Sequence, residues 1–293
     1  MAPGDLITRD GQVEWGGILL GSGTPYRWLN MTGLEDLPGL DSGNVLRPSR
    51  HGAWPGRYLA QERVVTWDLL VNVDLTWEWG PIVTALRQTL ALSDEDSDED
   101  EPLVIRTKGG ETRLLYARVT SRLMPNEPRN GVGRGNATVQ WTAADPRLYS
   151  PTEYTVTIGQ PTEPSGLTWP LTWPLNWGSG GDSGSRQLTN AGDVESSPVL
   201  EITGPCEVPA VTNLRTGRTI ELSITLAAGE TLVVDTREGT ATLGGADRLY
   251  LMTARCVPPE LWTLQPGTSE ISYRAASFGG GSSCVVRYRD AYM

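Results

Sequence analysis

The residues that could carry chemistry are few. The 293-residue chain has one histidine, His51, and three cysteines, Cys206, Cys256 and Cys284. A Ser-His-Asp or Cys-His constellation would have to use His51, and no nucleophile-elbow pattern surrounds a serine. The cysteines are odd in number and far apart in sequence, which is neither a disulfide framework nor a metal-ligand spacing. They read as buried free thiols of a protein made in a reducing cytoplasm. Paired carboxylates can hydrolyse glycosides, but 35 acidic residues make such pairs unavoidable by chance. The run from Ser93 to Glu101 is almost entirely carboxylate. It lacks the glycine and the alternation of a calcium loop, so it reads as a repelling, solvated loop, with divalent-cation binding as the sharper alternative. Gly131, Gly133 and Gly135 make no dinucleotide fingerprint, because no strand feeds directly into a helix there. The expectation is a protein without catalytic residues, metal or cofactor.

Two further groups are candidates for binding. Arg47, Arg50, His51 and Arg57 cluster in a long turn-rich stretch at 37–58, which also holds Pro38, Pro48 and Pro55. Such a segment inside a domain is either a solvated loop or a functional arm, and these four residues are the candidate contacts of an arm on a neighbouring subunit. Trp169, Trp173 and Trp177 recur at one spacing in a repeat of Trp-Pro-Leu. Each proline blocks ladder donation and favours extended backbone. The tryptophans read as an interdomain strap docked on one domain, or as a platform stacking sugar rings, joined in that case by Trp262.

A net charge of -11 and a pI near 4.7 argue against a protein built to grip phosphates. They suit a wall along which DNA slides without sticking. The start Met1-Ala2-Pro3-Gly4-Asp5 has neither a basic region nor an apolar one, so no secretion signal is expected, and no stretch approaches the ~18 apolar residues of a membrane span.

The elements that must position these residues are mostly strands. In the first half we expect strands at 12–20, 26–31, 63–74, 103–107, 113–123 and 137–142, with Gly109-Gly110 as a hairpin signal. Pro81 opens a helix over 81–92, with Ile82, Val83, Leu86 and Leu90 at helical spacing. Beyond residue 190 come short alternating strands separated by Gly, Pro and Asn turns, the pattern of an all-β sandwich. Asp235 there reads as a turn residue after the 232–234 strand.

Three stretches carry a family resemblance. Asp145-Pro146-Arg147-Leu148-Tyr149-Ser150 resembles the Asp-Pro-Arg-aromatic ending of the first domain in distal tail proteins of long-tailed, non-contractile phages. The Trp-Pro repeat is similar to the strap that follows. The stretch from Asn190 onward, with Ala228-Gly229-Glu230, Asp235-Thr236 and Trp262-Thr263-Leu264-Gln265-Pro266-Gly267, resembles the galectin-like second domain.

The resemblance implies a mainly β fold of two sandwich-type domains. Residues 1–150 would be a tail-tube-like split barrel with one helix, 151–189 the strap, and 190–293 a galectin-like jelly-roll sandwich. It also implies a structural virion protein, made in the host cytoplasm, forming a homo-oligomeric ring, generally a hexamer, at the tail tip. Its partners would be the tail tube protein, a tail-tip hub or fibre protein and a receptor-binding protein. DNA would transit its lumen unbound, and nothing would insert in a membrane. The alternative is a carbohydrate-binding module that recognises host cell-wall glycans.

Overall fold

The computed structural model describes residues 2–73, 79–92, 100–124, 133–163, 173 and 180–293. The chain divides into two compact units, Met1–Pro151 with Met293, and Thr152–Tyr292. Both are mainly β.

The first unit holds strands β1 Gln12–Trp15, β2 Ile18–Gly21, β3 Tyr26–Thr32, β4 Leu40–Ser42, β5 Val45–Leu46, β6 Ala53–Trp54, β7 Tyr58–Ala60, β8 Arg63–Asn72, β9 Glu101–Arg106, β10 Thr112–Leu123, β11 Arg134–Ala143 and β12 Leu148–Tyr149. Helix α1, Trp79–Thr89, falls between β8 and β9. Seven strands are hydrogen-bonded in the order β2-β1-β9-β10-β11-β8-β3. Strand β10 turns the corner of this sheet. Its first half pairs with β9 and its second half with β11, and the ladder to β11 shifts register between Val119 and Ser121. A bulge of this kind bends a strand and strengthens its twist.

Alternation along β8 and β11 makes the core. The two pair over their whole length, and Val65, Trp67, Leu69 and Val71 of β8 face inward with Val139 and Trp141 of β11. Trp67 stacks on Trp141 at 6.2 Å, and Trp15 and Trp28 extend the row at 5.9 and 5.7 Å. Helix α1 lies on this barrel by burying Trp79, Val83 and Leu86. Trp15 Nε1 donates to Thr89 O and Tyr26 OH to Ile82 O. Arg122 Nη1 donates to the carbonyls of Arg87 and Leu90, placing a cation where the helix leaves acceptors open.

Two expectations of local structure are corrected here. The stretch 12–20 is a hairpin, not one strand: Gly16 and Gly17 both take positive φ (55° and 73°), as a tight turn that follows the strand twist requires. The helix ends at Thr89 rather than near Leu92, because Arg122 takes the last carbonyls and Leu90 turns into the core. Of the acidic run, residues 93–99 lie outside the described residues. Asp100 pairs with Arg118 at 2.7 Å, and Glu101 opens β9.

The second unit contains β13 Tyr154–Gly159, β14 Ser185–Asn190, β15 Val199–Thr203, β16 Cys206–Glu207, β17 Ala210–Asn213, β18 Arg218–Glu221, β19 Thr225–Leu226, β20 Thr231–Asp235, β21 Thr240–Leu243, β22 Ala246–Asp247, β23 Gly267–Arg274, β24 Ser277–Phe278, β25 Ser283–Tyr288 and β26 Ala291–Tyr292. One sheet runs β13-β25-β15-β20-β21-β22 and the other β14-β23-β17-β18, with a small third sheet β19-β16-β24. Between the two main sheets lies one apolar cluster, with Leu200, Ile202 and Val286 from the first and Val211, Ile271 and Tyr273 from the second. This is a sandwich.

The 151–189 segment, expected as a strap, contributes β13 to the first of these sheets and β14 to the second. Cys206 and Cys284 are buried free thiols and Cys256 is a half-buried one, and burial pushes the Cys284 thiol up to about 12. Asp235 Oδ1 accepts from the backbone N–H groups of Arg237 and Glu238, the turn role its position suggested.

Candidate functional site

Residues 37–62 leave the barrel sheet and return to it as a separate ribbon. Strand β4 pairs with β7, and β5 with β6, each as its own two-stranded ladder. The expectation at 37–58 was an irregular stretch; the structure instead gives it regular pairing, closed by Gly43 N to Arg57 O and Gln61 N to Gly39 O. Backbones approach closely in the middle. A Cβ on Gly56 would stand 2.0 Å from Gly43 O, so the ribbon requires glycine there. Asn44 ties the two edges together, its side-chain amide donating to Tyr58 OH while its carbonyl accepts from Gly56 N.

The arm's side chains run against ordinary burial. Leu37, Leu40, Val45, Leu46, Tyr58 and Leu59 are all exposed, Leu46 at 81%. Trp54 is half exposed and carries the Arg47 guanidinium 5.7 Å above its ring. Arg50 and His51 lie in the turn between β5 and β6, and Arg57 precedes β7; with Arg47, all four are exposed. The structure therefore brings the four residues singled out from sequence onto one ribbon. Over 37–62 that ribbon carries three arginines against two acidic residues, Asp41 and Glu62, in a chain of net charge -11.

The root of the arm is built differently. Arg63, 1% exposed at the start of β8, donates from Nε to Pro146 O at 2.7 Å. Its Nη1 donates to the carbonyls of Gly33 (3.0 Å), Leu34 (2.8 Å) and Asp36 (2.7 Å). Burial lowers the Arg63 pKa, which the nearby Asp36 carboxylate partly opposes. Pro146 belongs to the Asp-Pro-Arg turn, in which Asp145 accepts from Tyr149 OH at 2.6 Å and from Arg147 N at 3.1 Å. Sequence reasoning missed Arg63. The available signal was parity, since residues 63, 65, 67, 69 and 71 share the buried face of one strand.

The tryptophan group fares less well. Trp169 and Trp177 lie outside the described residues. Trp173 is 85% exposed. Trp262, proposed as a further sugar platform, is fully buried, with Nε1 donating to Arg218 O. The aromatic-x-Leu-x-Pro-Gly stretch places it in the sandwich core, so it cannot stack a ligand at the surface. Among the described residues, no group of His, Cys, Asp and Glu is placed to hold a metal ion, and no helix is long and apolar enough to cross a membrane.

A sheet unit with a self-paired arm, followed in the chain by a sandwich unit, defines a two-unit, mainly β architecture. The comparisons narrow it. Residues 191–292 match the siphovirus-type tail component, C-terminal domain. The whole fold is similar to the Dit protein of phage SPP1, described as a paradigm of the hub adsorption apparatus in phages infecting Gram-positive hosts. Its TM-score is 0.61 at 12% identity, over 96% of this chain and 99% of that one. A chain of the phage P2 baseplate in its activated, calcium-bound conformation is similar at TM-score 0.53 and 12% identity, over 96% and 98%. The strontium-bound baseplate gives 0.51 at 12% identity, over 94% and 96%. No curated protein sequence matches the chain. Residues 191–292 thus match the siphovirus-type tail component family, and the chain as a whole shares the fold of the Dit protein.

Proposed function

We propose that the first unit forms a closed ring of identical copies at the tail tip, six being the expected number. The arm at 37–62 bridges each copy to the next. One observation carries this reading: among the described residues the arm's strands pair only with each other, yet the arm exposes Leu40, Val45, Leu46, Trp54, Tyr58 and Leu59. A two-stranded ribbon has no core of its own in which to bury such residues, so a second surface must cover them. Charge selects that surface. The arm holds three arginines against Asp41 and Glu62, while the rest of the chain is strongly acidic, so a second copy is the complementary partner. An arm on one face that meets a different face of its neighbour is a heterologous contact, and such contacts close into rings when the rotation allows.

In this reading the ring continues the tail tube, and its acidic character lets DNA pass without adhering. The sandwich unit holds further tip proteins, among them a hub or fibre protein and a receptor-binding protein. The protein is structural, performs no catalysis, takes no cofactor and resides in the virion after synthesis in the host cytoplasm. Glycan recognition is the second reading. It retains the exposed Trp173 but loses Trp262 to the core. Tryptophan fluorescence titrated with host cell-wall polysaccharide tests it, and an unchanged spectrum removes it.

Light scattering with negative-stain imaging tests the ring. Six chains of 31.8 kDa give a particle of about 191 kDa with an open centre.

A further inference from the structure

We infer that Arg63 is the positioning residue of the arm: its buried guanidinium fixes the direction in which the ribbon leaves the barrel, and so whether the arm reaches a second copy. The inference rests on the arm reading above and adds to it the device that aims the arm.

Three observations converge on the root. The four carbonyls that Arg63 binds come from two separate segments. Gly33, Leu34 and Asp36 lie on the chain entering the arm, and Pro146 lies on the turn that closes the first unit. A guanidinium presents its donors in a rigid planar fork, so the angle between those segments follows from the angle between Nε and Nη1. Arg63 itself is the point at which the arm rejoins the barrel, paired with Ala143 of β11. One side chain thus ties the outgoing chain to the incoming one.

The second observation is Gly33, which turns off the end of β3 at φ +85°; a Cβ there would stand 1.9 Å from Val64 O. The entering segment lies flush against β8, leaving it no room to swing inward. The third is Asp36, whose Oδ2 accepts from Gly33 N at 2.8 Å and closes the same bend from outside.

A charged side chain this deep in a barrel is an expensive way to stabilise a core that a leucine would fill. Every carbonyl named would lose its partner if Arg63 were replaced by an apolar residue. The fork instead restricts the arm to one exit. Loss of that restriction lowers the fraction of copies whose arm is competent to dock, and apparent self-association weakens by the same factor.

The test compares Arg63→Lys, Asp36→Ala, the arm variant Leu46→Asp/Trp54→Asp, and Val119→Ala as a barrel control, all in the full chain. Lysine keeps the charge but cannot reach Pro146 and the 33–36 carbonyls together. Sedimentation over a concentration series should show Arg63→Lys needing about ten-fold or more protein for half-assembly. Val119→Ala, compared at equal loss of melting temperature, should assemble as the wild type does. Hydrogen exchange at Gln61 N–H, which donates to Gly39 O at the root, should quicken in Arg63→Lys and not in Val119→Ala. Asp36→Ala, whose side chain is exposed, should show a smaller shift of the same sign, and it carries the test alone if Arg63→Lys does not fold.

Assembly of Arg63→Lys at wild-type concentration, with Leu46→Asp/Trp54→Asp monomeric, overturns the role of Arg63 and leaves the arm reading standing. Wild-type assembly by Leu46→Asp/Trp54→Asp overturns the arm reading itself. If Arg63→Lys and the stability-matched Val119→Ala lose assembly equally, the effect is general destabilisation and the positioning role is wrong.

Discussion

Strand β8 and the arm that precedes it are neighbours in sequence and both carry large apolar side chains, yet they treat them in opposite ways. Val65, Trp67, Leu69 and Val71 are sealed in the barrel, while Leu40, Val45, Leu46 and Leu59 meet solvent. The difference is one of layers. Strand β8 lies between two partners, β11 and β3, and has a core behind one face; among the described residues the arm's strands pair only with one another. Apolar residues on a ribbon without a second layer are a cost to the isolated chain and a resource for an assembly.

The sharpest break in this comparison comes from truncating each side. Trp67→Ala should destabilise the first unit by about 3–5 kcal/mol in denaturant unfolding, because it leaves a cavity under Trp141 and Trp28. Leu46→Asp/Trp54→Asp should change unfolding by less than about 0.5 kcal/mol while abolishing assembly. If both pairs of effects were alike, the two regions would not differ in the way proposed.

Alkaline titration sharpens the picture inside the barrel. Burial, helped by the Asp145 carboxylate and the hydrogen bond to it, raises the Tyr149 pKa above its ordinary value of 10.0. The folded state therefore favours the protonated hydroxyl. That contribution is fully present below pH 10 and is lost as the pH climbs toward the folded value, at up to ~1.4 kcal/mol per pH unit. Tyr149→Phe should flatten the fall in stability above pH 10 measured by urea unfolding, with Tyr273 in the sandwich left to titrate in the same direction.

Within the core, a smaller effect than that of Trp67→Ala should come from Trp141→Phe. The indole N–H of Trp141 is buried without a hydrogen-bond partner, so losing it offsets part of the lost packing. Thermal unfolding should shift far less than in Trp67→Ala.

How much of this was legible in the sequence depends on what enforced each element. Strands β8, β10 and β11 were visible because one buried face imposes a period of two. The Asn190-onward motifs identified a sandwich because its turns demand particular residues, such as Gly229 at positive φ before Glu230. The β1–β2 hairpin was hidden because Gly16-Gly17 is short and the flanking apolar pattern runs on through it. Strand β14 was hidden by composition, since polar residues at 185–190 pair with β23 through backbone groups that leave little mark on side-chain pattern.

The arm was visible as an anomaly, a proline- and glycine-rich stretch with clustered arginines, but its pairing was not. Its ladders are two or three residues long and turn on the mutual approach of Gly43 and Gly56. Arg63 went unread because a charge at a strand start looks like surface until Pro146 and the 33–36 carbonyls are known to surround it.

The most direct test of the account is the mass and shape of the wild-type chain beside Leu46→Asp/Trp54→Asp at matched concentration, by light scattering and negative-stain imaging. The account predicts a ring of about 191 kDa for the wild type and a folded 31.8 kDa monomer for the variant. A variant that forms the same ring would contradict it.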